Sequence, residues 1–245
     1  MMDIKVDTHT HTLASSHAYC TVSENARYAS QIGMEAIAVT DHAPALGDAP
    51  HIWHFHNLKN IPRDLFGVRI LYGVELNILD LEGNVDDDGM PLDKMDVVNA
   101  SIHWPSFKDG PGHDCTGAYE SVVKNPLIDV ICHSGNPDFT YDYDRIVRLA
   151  GEYNKLIEIN NHSFMVRKSS IPNCKKIAEA CMKYGTGIVV TSDAHFFTDI
   201  GEYGAALGLL EEIGFPEELV MNRSLEVFEK FMAQRKELYS WKMTV

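Results

Sequence analysis

The sequence predicts an α/β fold: a closed barrel of seven parallel strands with its functional site at the C-terminal ends of the strands. Three observations carry this expectation. Short β-branched or apolar runs recur seven times, helical patterns with stop signals lie between several of them, and a polar residue follows every run. Taking His11, His42, Glu75, His103, His133, Asn160 and Asp193 as those polar markers, the successive spacings are 31, 33, 28, 30, 27 and 33 residues. A strand, a helical crossover and the next parallel strand need about 30 residues. An open doubly wound sheet shares this rhythm but gathers ligands at one switch point. Polar residues after all seven strands suit the C-terminal face of a barrel better.

Taken in order, Lys5-Val6-Asp7-Thr8-His9 is the first strand, and a helix over 24–32 follows, capped by Ser23 and stopped by Gly33. Ala36-Ile37-Ala38-Val39-Thr40 is the second strand. A long irregular stretch from about Pro44 to Arg63 leads to the third, Arg69 to Glu75. Val97 to Ser101 and Asp129 to Cys132 are the fourth and fifth. A helix over 143–153 precedes the sixth, Leu156 to Ile159, and one over 173–184, ended by Gly185, precedes the seventh, Gly187 to Thr191. Two further helices, over 203–213 and over 225–238 with a Ser224 cap, are expected to cover the end of the barrel. No linker or low-complexity segment interrupts the chain, so residues 1–245 read as one domain.

Composition bounds the function. With 245 residues, 45% hydrophobic and 23% charged, the chain can bury a sizeable core. Its 35 acidic and 21 basic residues give a net charge of -14, which opposes a sequence-independent grip on long nucleic acid. No apolar run approaches the roughly 20 residues of a membrane span, and Met1-Met2-Asp3-Ile4-Lys5 lacks the pattern of a secretory signal. A cytoplasmic protein without membrane partners is expected, and its oligomeric state is left open. Five cysteines with no Cys-x-x-Cys fit reduced thiols rather than a disulfide framework.

Twelve histidines are the unusual feature. In Asp7-Thr8-His9-Thr10-His11 the two imidazoles lie two residues apart on a strand and point to the same side, so they can hold one ion or simply form a solvent-facing pair. Thr191-Ser192-Asp193-Ala194-His195 repeats that geometry with a carboxylate and an imidazole. Glu75 ends an apolar strand, where it either bridges two cations or is a solvated acid. His42, His103 and His133 each follow a strand and singly read as core or terminator residues. A barrel brings all these strand ends into one ring, which favours a shared site, and His17 lies in the loop after His11. Arg167, with Lys168, follows the sixth strand end and suits a substrate anion, although surface basic residues are common. The cluster His51, Trp53, His54, Phe55 and His56 is either a lid or a self-packed loop. Asn84 to Gly89 matches half a calcium loop, but Met95 stands where a bidentate Glu is needed, so it reads as a polar turn.

These residues together, Asp7-x-His9-x-His11, Thr40-Asp41-His42, Gly73-x-Glu75, His103, His133-x-Gly135-Asn136-Pro137, Glu158-Ile159-Asn160-Asn161 and Ser192-Asp193-Ala194-His195, resemble the PHP superfamily, named for polymerase and histidinol phosphatase domains. The likeness is nearest to its YcdX-type phosphatase branch and runs through Asp48 to Phe55. The resemblance implies a distorted (β/α)7 TIM-like barrel and three divalent transition-metal ions, zinc foremost, with manganese or iron as alternatives. One ion takes His9, His11, Glu75 and Asp193. A second shares Glu75 and adds His103 and His133, and a third takes His17, His42 and His195. His162 and Met165-Val166 depart from the pattern expected beside the sixth strand.

The chemistry implied is hydrolysis of a small phosphomonoester. Two cations bridged by a carboxylate hold a shared water and lower its pKa to near 7, giving hydroxide that attacks phosphorus, while the same charges neutralise the phosphate oxygens. Glu75 and Asp193 are the catalytic carboxylates on this reading, His54 is a candidate acid for the leaving group, and Arg167 and Asn160 are candidate substrate contacts. The alternatives are a phosphodiesterase trimming nucleotides and an amidohydrolase acting on C–N bonds. Glu75 after the third strand and the Asp193-x-His195 pair fit the phosphoesterase pattern better.

Overall fold

In the computed structural model, which describes residues 2–239, every parallel strand carries two sets of side chains with different destinations. The chain runs β1 (Val6–Thr10), α1 (Val22–Gln31), β2 (Ala36–Val39), α2 (Trp53–Asn57), β3 (Asp64–Leu65) and β4 (Val68–Asn77). It continues through β5 (Val97–Ser101), α3 (Thr116–Lys124), β6 (Val130–Ile131), α4 (Tyr143–Glu152), β7 (Leu156–Asn160) and α5 (Asn161–Val166). It ends with α6 (Ile171–Tyr184), β8 (Ile188–Thr191), α7 (Gly204–Glu212) and α8 (Leu225–Tyr239). Seven strands pair in parallel in the order β1-β2-β4-β5-β6-β7-β8, with β3 as an antiparallel appendage of β4. This is the (β/α)7 barrel the spacing predicts.

One apolar cluster joins Val6, Ala36, Ala38, Leu71, Val97, Val130, Cys132, Leu156 and Val189. Because these come from all seven parallel strands and touch one another, they fill the barrel interior. The intervening residues, such as Ile37, Ile70, Val98, Ile131, Ile157 and Ile188, belong to the larger layer between barrel and helices. Along each inward face the character changes with height. β4 reads Leu71, Gly73, Glu75, Asn77, and β7 reads Leu156, Glu158, Asn160. The two-residue period therefore builds an apolar floor and a polar ceiling.

Phe228 and Met232 of α8 pack into the interior cluster, so the last helix closes the floor as expected. Arg235 of α8 is 3% exposed and pairs with buried Asp129, anchoring that plug beside β6. The seam between β1 and β8 is held at two heights. Near the top, Thr10 bridges Ala194, and near the bottom the Asn222 side chain donates to Val6 O (2.8 Å) and Val190 O (2.6 Å) and accepts from Val190 N (3.0 Å). Among the described residues no helix is long and apolar enough to cross a membrane. All five cysteines are buried and unpaired.

Several features differ from the sequence expectation, among them the short helix α5 directly after β7. Helix α1 is capped by Thr21, not Ser23, because Thr21 and Glu24 satisfy each other's backbone N–H in a capping box. Helix α6 begins two residues earlier than expected, since Pro172 is tolerated in a first turn. Helix α3, absent from the sequence reading, follows an Asp114 turn that accepts from Thr116 N and Oγ1. The stretch 44–63 is not wholly irregular: α2 lies within it, and Phe55 and Leu58 are buried in the core, which ties it down as a packed segment.

Candidate metal centre

A local fault in β1 aims the first two imidazoles. Asp7 pairs with Ile37 and Thr10 with Val39, three steps against two, so β1 carries a bulge between them. The bulge reverses the alternation: Val6 faces the floor cluster, yet His9 and His11 both face the polar ceiling. Their ring centroids are 5.1 Å apart. Two further strand-end residues, His133 (φ 30°) and Asp193 (φ 52°), adopt left-handed backbone that non-glycine residues seldom hold. Such strain concentrates at functional positions.

Glu75 is fully buried at the centre, and its two oxygens face different groups. Oε1 lies 2.9 Å from His133 Nε2 and 3.4 Å from His103 Nε2. Oε2 lies 2.9 Å from His42 Nδ1, 3.3 Å from His9 Nε2 and 3.6 Å from His11 Nε2. Asp193 Oδ1 is 3.1 Å from His11 Nε2 and 3.5 Å from His9 Nε2. His195 Nε2 and His17 Nε2 approach within 2.8 Å at the outer edge. The nine residues expected to bind metal are thus brought to one site.

Hydrogen bonds on the far side of the rings assign their tautomers. His9 Nδ1–H donates to Glu158 Oε1 (2.6 Å), His103 Nδ1–H to Asn77 Oδ1 (2.8 Å), His195 Nδ1–H to Asp193 O (2.9 Å), and His17 Nδ1–H to Asp48. Each leaves an Nε2 lone pair directed inward. Yet His9 Nε2, His11 Nδ1, both nitrogens of His42 and Glu75 Oε2 are buried without a well-aligned hydrogen bond, although His42 Nδ1 and Glu75 Oε2 lie 2.9 Å apart. Buried lone pairs that converge without donors between them are costly unless a cation accepts them. Ligand atoms close enough to share an ion form the trios His9-His11-Asp193, His42-Glu75-His103 and His11-His42-His195. The partition differs from the implied one in that His42 lies nearer Glu75 and His11 than His17. The donor set of imidazole and carboxylate suits zinc, manganese or iron.

Electrostatics follow this crowding. Burial opposes the charge on Glu75, but the imidazoles of His9, His103 and His42 hold its carboxyl well below the usual range. Burial likewise disfavours protonated His9, and Glu75, Asp193 and Glu158 override it, raising His9 well above an ordinary histidine. His11 is pushed down to about 3 by burial and by neighbouring His42.

Several residues that the sequence motifs contain, but to which the sequence reading gives no role, support the site. Glu158 is the most consequential: it accepts from His9 Nδ1, Thr191 Oγ1 (2.6 Å), His133 N (2.6 Å) and Asn160 Nδ2 (3.2 Å). With its lone pairs so engaged it orients ligands rather than serving as one, although His9, Cys132 and Glu158 also lie close together. Burial and Glu158 push the Cys132 thiol up, so it stays protonated. Asp41 accepts from Thr12 and Ser15 (2.8 Å each), and Ser15 Oγ in turn accepts from His42 N (3.1 Å). Asp86, in the turn read as a failed calcium loop, holds Asn77 by two 2.7 Å hydrogen bonds and so supports His103.

Two candidate residues lie elsewhere than expected. His54 is not among the residues lining the cavity above the cluster; its Nε2 sits 3.1 Å from Asp41 Oδ2. Asn160 is 1% exposed and fully engaged: it caps α5 through Ser163 N (2.9 Å) and donates to Asp193 Oδ2 (3.1 Å). It is thus placed to orient Asp193. Arg167 does line the cavity, and its buried Nε has no partner. The cavity, about 490 Å³, is also bounded by His162, whose ring stacks 5.7 Å from that of His195.

Comparison with known proteins agrees with this geometry. The PHP domain model matches residues 7–232. A protein of Acetivibrio thermocellus named "Probable phosphatase" is 48% identical over 236 residues, covering 96% of this chain and 98% of the relative. One of Clostridium novyi with the same description is 42% identical, covering 90% and 91%. Among solved structures, histidinol phosphate phosphatase of Lactococcus lactis, crystallised with zinc, L-histidinol and phosphate, superposes with a TM-score of 0.64 at 19% identity over 86% of this chain and 94% of the other.

Proposed function

The chain belongs to the PHP domain family, and on that premise we propose that it is a metal-dependent phosphatase that hydrolyses a small phosphomonoester at the strand-end cavity. The observation that carries this reading is the convergence of buried imidazole and carboxylate atoms that lack well-aligned hydrogen bonds beneath a cavity lined by Arg167, whose buried Nε also lacks one. Relatives named probable phosphatases support the same class of reaction. Three divalent ions are proposed, held by His9, His11, Glu75 and Asp193, by Glu75, His103 and His133, and by His17, His42 and His195. Such ions supply Lewis acidity, activating the attacking water and neutralising the phosphate oxygens.

The remaining work falls to the chain. Glu75 turns one oxygen toward each of two imidazole groups, so one buried carboxylate serves both. Glu158, Asn77 and Asp48 fix the tautomers that keep lone pairs pointing inward. Arg167 binds the phosphate oxygens that the cluster does not reach, where its planar fork matches their geometry. A net charge of -14 disfavours long nucleic acid, leaving a nucleotide-trimming diesterase as the weaker reading.

The test is to strip the protein with a chelator, reload it with zinc, manganese or iron, and follow hydrolysis of an aryl monoester and a bis-aryl diester. The reading expects turnover only after reloading, and faster on the monoester. No monoester turnover by any loaded form, or a preference for the diester, contradicts it.

A further inference from the structure

The mouth of the cavity differs from its base. Imidazoles and two carboxylates line the buried part of the cavity together with Leu46 and Ile102; its exposed lining residues are Trp104, Pro105 and Val166, with the half-exposed Arg167. Trp104 follows His103 directly and is 66% exposed, leaving its large apolar face uncovered. Among the described residues no hydrogen bond or ring contact engages it. It is nevertheless displayed from a firm support. Pro105 restricts the backbone, and the turn closes by Ser106 N donating to His103 O (3.1 Å), reinforced by Phe107 N on the same oxygen (3.1 Å). An uncovered indole displayed from a hydrogen-bonded turn one residue beyond a cluster member, on the cavity wall, is a platform for a planar group.

The charges at the mouth narrow the ligand further. Among the described lining residues the carboxylates are Glu75 and Asp193, and both belong to the cluster. Nothing acidic at the mouth is available to pair an ammonium on the leaving group, and Arg167 repels one.

We infer that the leaving group of the substrate carries a neutral or anionic planar aromatic ring, aryl or heteroaryl, that stacks on Trp104, and that aminoalkyl phosphates are discriminated against. This rests on the phosphatase reading for the position of the phosphate. Trp104 is a specificity-determining residue on this account, and it takes no part in bond cleavage.

The test uses the zinc-loaded protein with Trp104→Ala and Trp104→Phe. The substrates are 1-naphthyl phosphate, a nucleoside 5′-monophosphate, glycerol phosphate and histidinol phosphate. Wild type is expected to prefer the first two, and whichever of them leads tells a simple aryl source from a nucleotide. Trp104→Ala is expected to lower kcat/KM on ring substrates about tenfold, chiefly through KM, with less than about twofold change on glycerol phosphate, and Trp104→Phe to recover most of the loss. An equal loss on all substrates, no loss on any, or a preference for histidinol phosphate overturns the inference. A second readout is quenching of tryptophan fluorescence by phenylphosphonate, expected in wild type, absent in Trp104→Phe and absent with methylphosphonate. Quenching without turnover of any monoester leaves the ring site standing and removes the phosphatase reading. Turnover with no quenching does the reverse.

Discussion

Replacing Glu158 by Gln probes how far the site depends on a residue that binds neither metal nor substrate. The substitution preserves size but converts one oxygen to an NH2 group. Oε2 accepts from His133 N at 2.6 Å, a donor that cannot reverse, so the amide oxygen must stay there. The NH2 group then falls where Oε1 stood, 2.6 Å from both His9 Nδ1 and Thr191 Oγ1. Thr191 can rotate to accept. His9 can accept only by moving its own proton to Nε2, which turns an N–H toward Glu75 and Asp193 in place of a lone pair. Supporting contacts of this kind are worth about 10- to 100-fold in metal affinity, about 1.4 to 2.7 kcal/mol. Titration with chelator-buffered zinc, following ion occupancy and aryl phosphate turnover together, should show one ion weakened by that factor. Activity should recover in part at excess zinc. Wild-type zinc affinity and turnover in Glu158→Gln would refute the tautomer argument.

Other outcomes follow from different parts of the molecule. Arg167→Ala should raise KM for a phosphomonoester about 10- to 100-fold with metal content unchanged, as steady-state kinetics and metal analysis will show; an unchanged KM removes Arg167 from the substrate. Asn222→Ala leaves Val6 O, Val190 O and Val190 N unpaired at the barrel seam, so it should cost about 3 kcal/mol and lower Tm by about 6 to 12 °C in a thermal melt. A Tm within about 2 °C of wild type would mean the seam is held by other contacts. In the metal-free protein Glu75 raises His9 and His42 despite their burial, so zinc competes with protons for these two imidazoles. Zinc binding should therefore release protons and weaken as pH falls. Calorimetry in buffers of different ionisation enthalpy measures this, and zero proton release contradicts the assignment.

Much of the barrel was readable because its signals are one-dimensional. Strand spacing near 30 residues and a polar residue after each run need no knowledge of packing, and the ring of His9, His42, Glu75, His103, His133 and Asp193 follows once the strands are arranged in parallel. What was not readable depended on partners distant in sequence. Asn160 and His54 were assigned by residue type and position, whereas their hydrogen bonds to Asp193 and Asp41 span 33 and 13 residues. Glu158 did leave a signal: a lone carboxylate on an apolar strand, two residues from Leu156 on the inward face. Helix α3 left little, because Thr116-Gly117 is a poor helical start and its cap residue, Cys115, offers no side-chain hydrogen bond. The β1 bulge is invisible to periodicity, which had His9 and His11 on one side correctly but could not show that Val6 shares the interior.

The central claim is that the converging lone pairs of Glu75, Asp193 and the imidazoles hold divalent ions that make the protein a phosphatase. The most direct measurement is metal content of the purified protein, prepared with metal present, alongside aryl phosphate turnover in wild type, His9→Ala and Asp193→Ala. The account predicts about three ions in wild type and turnover lost in both variants. Fewer than about two ions, or turnover that survives both substitutions, would contradict it.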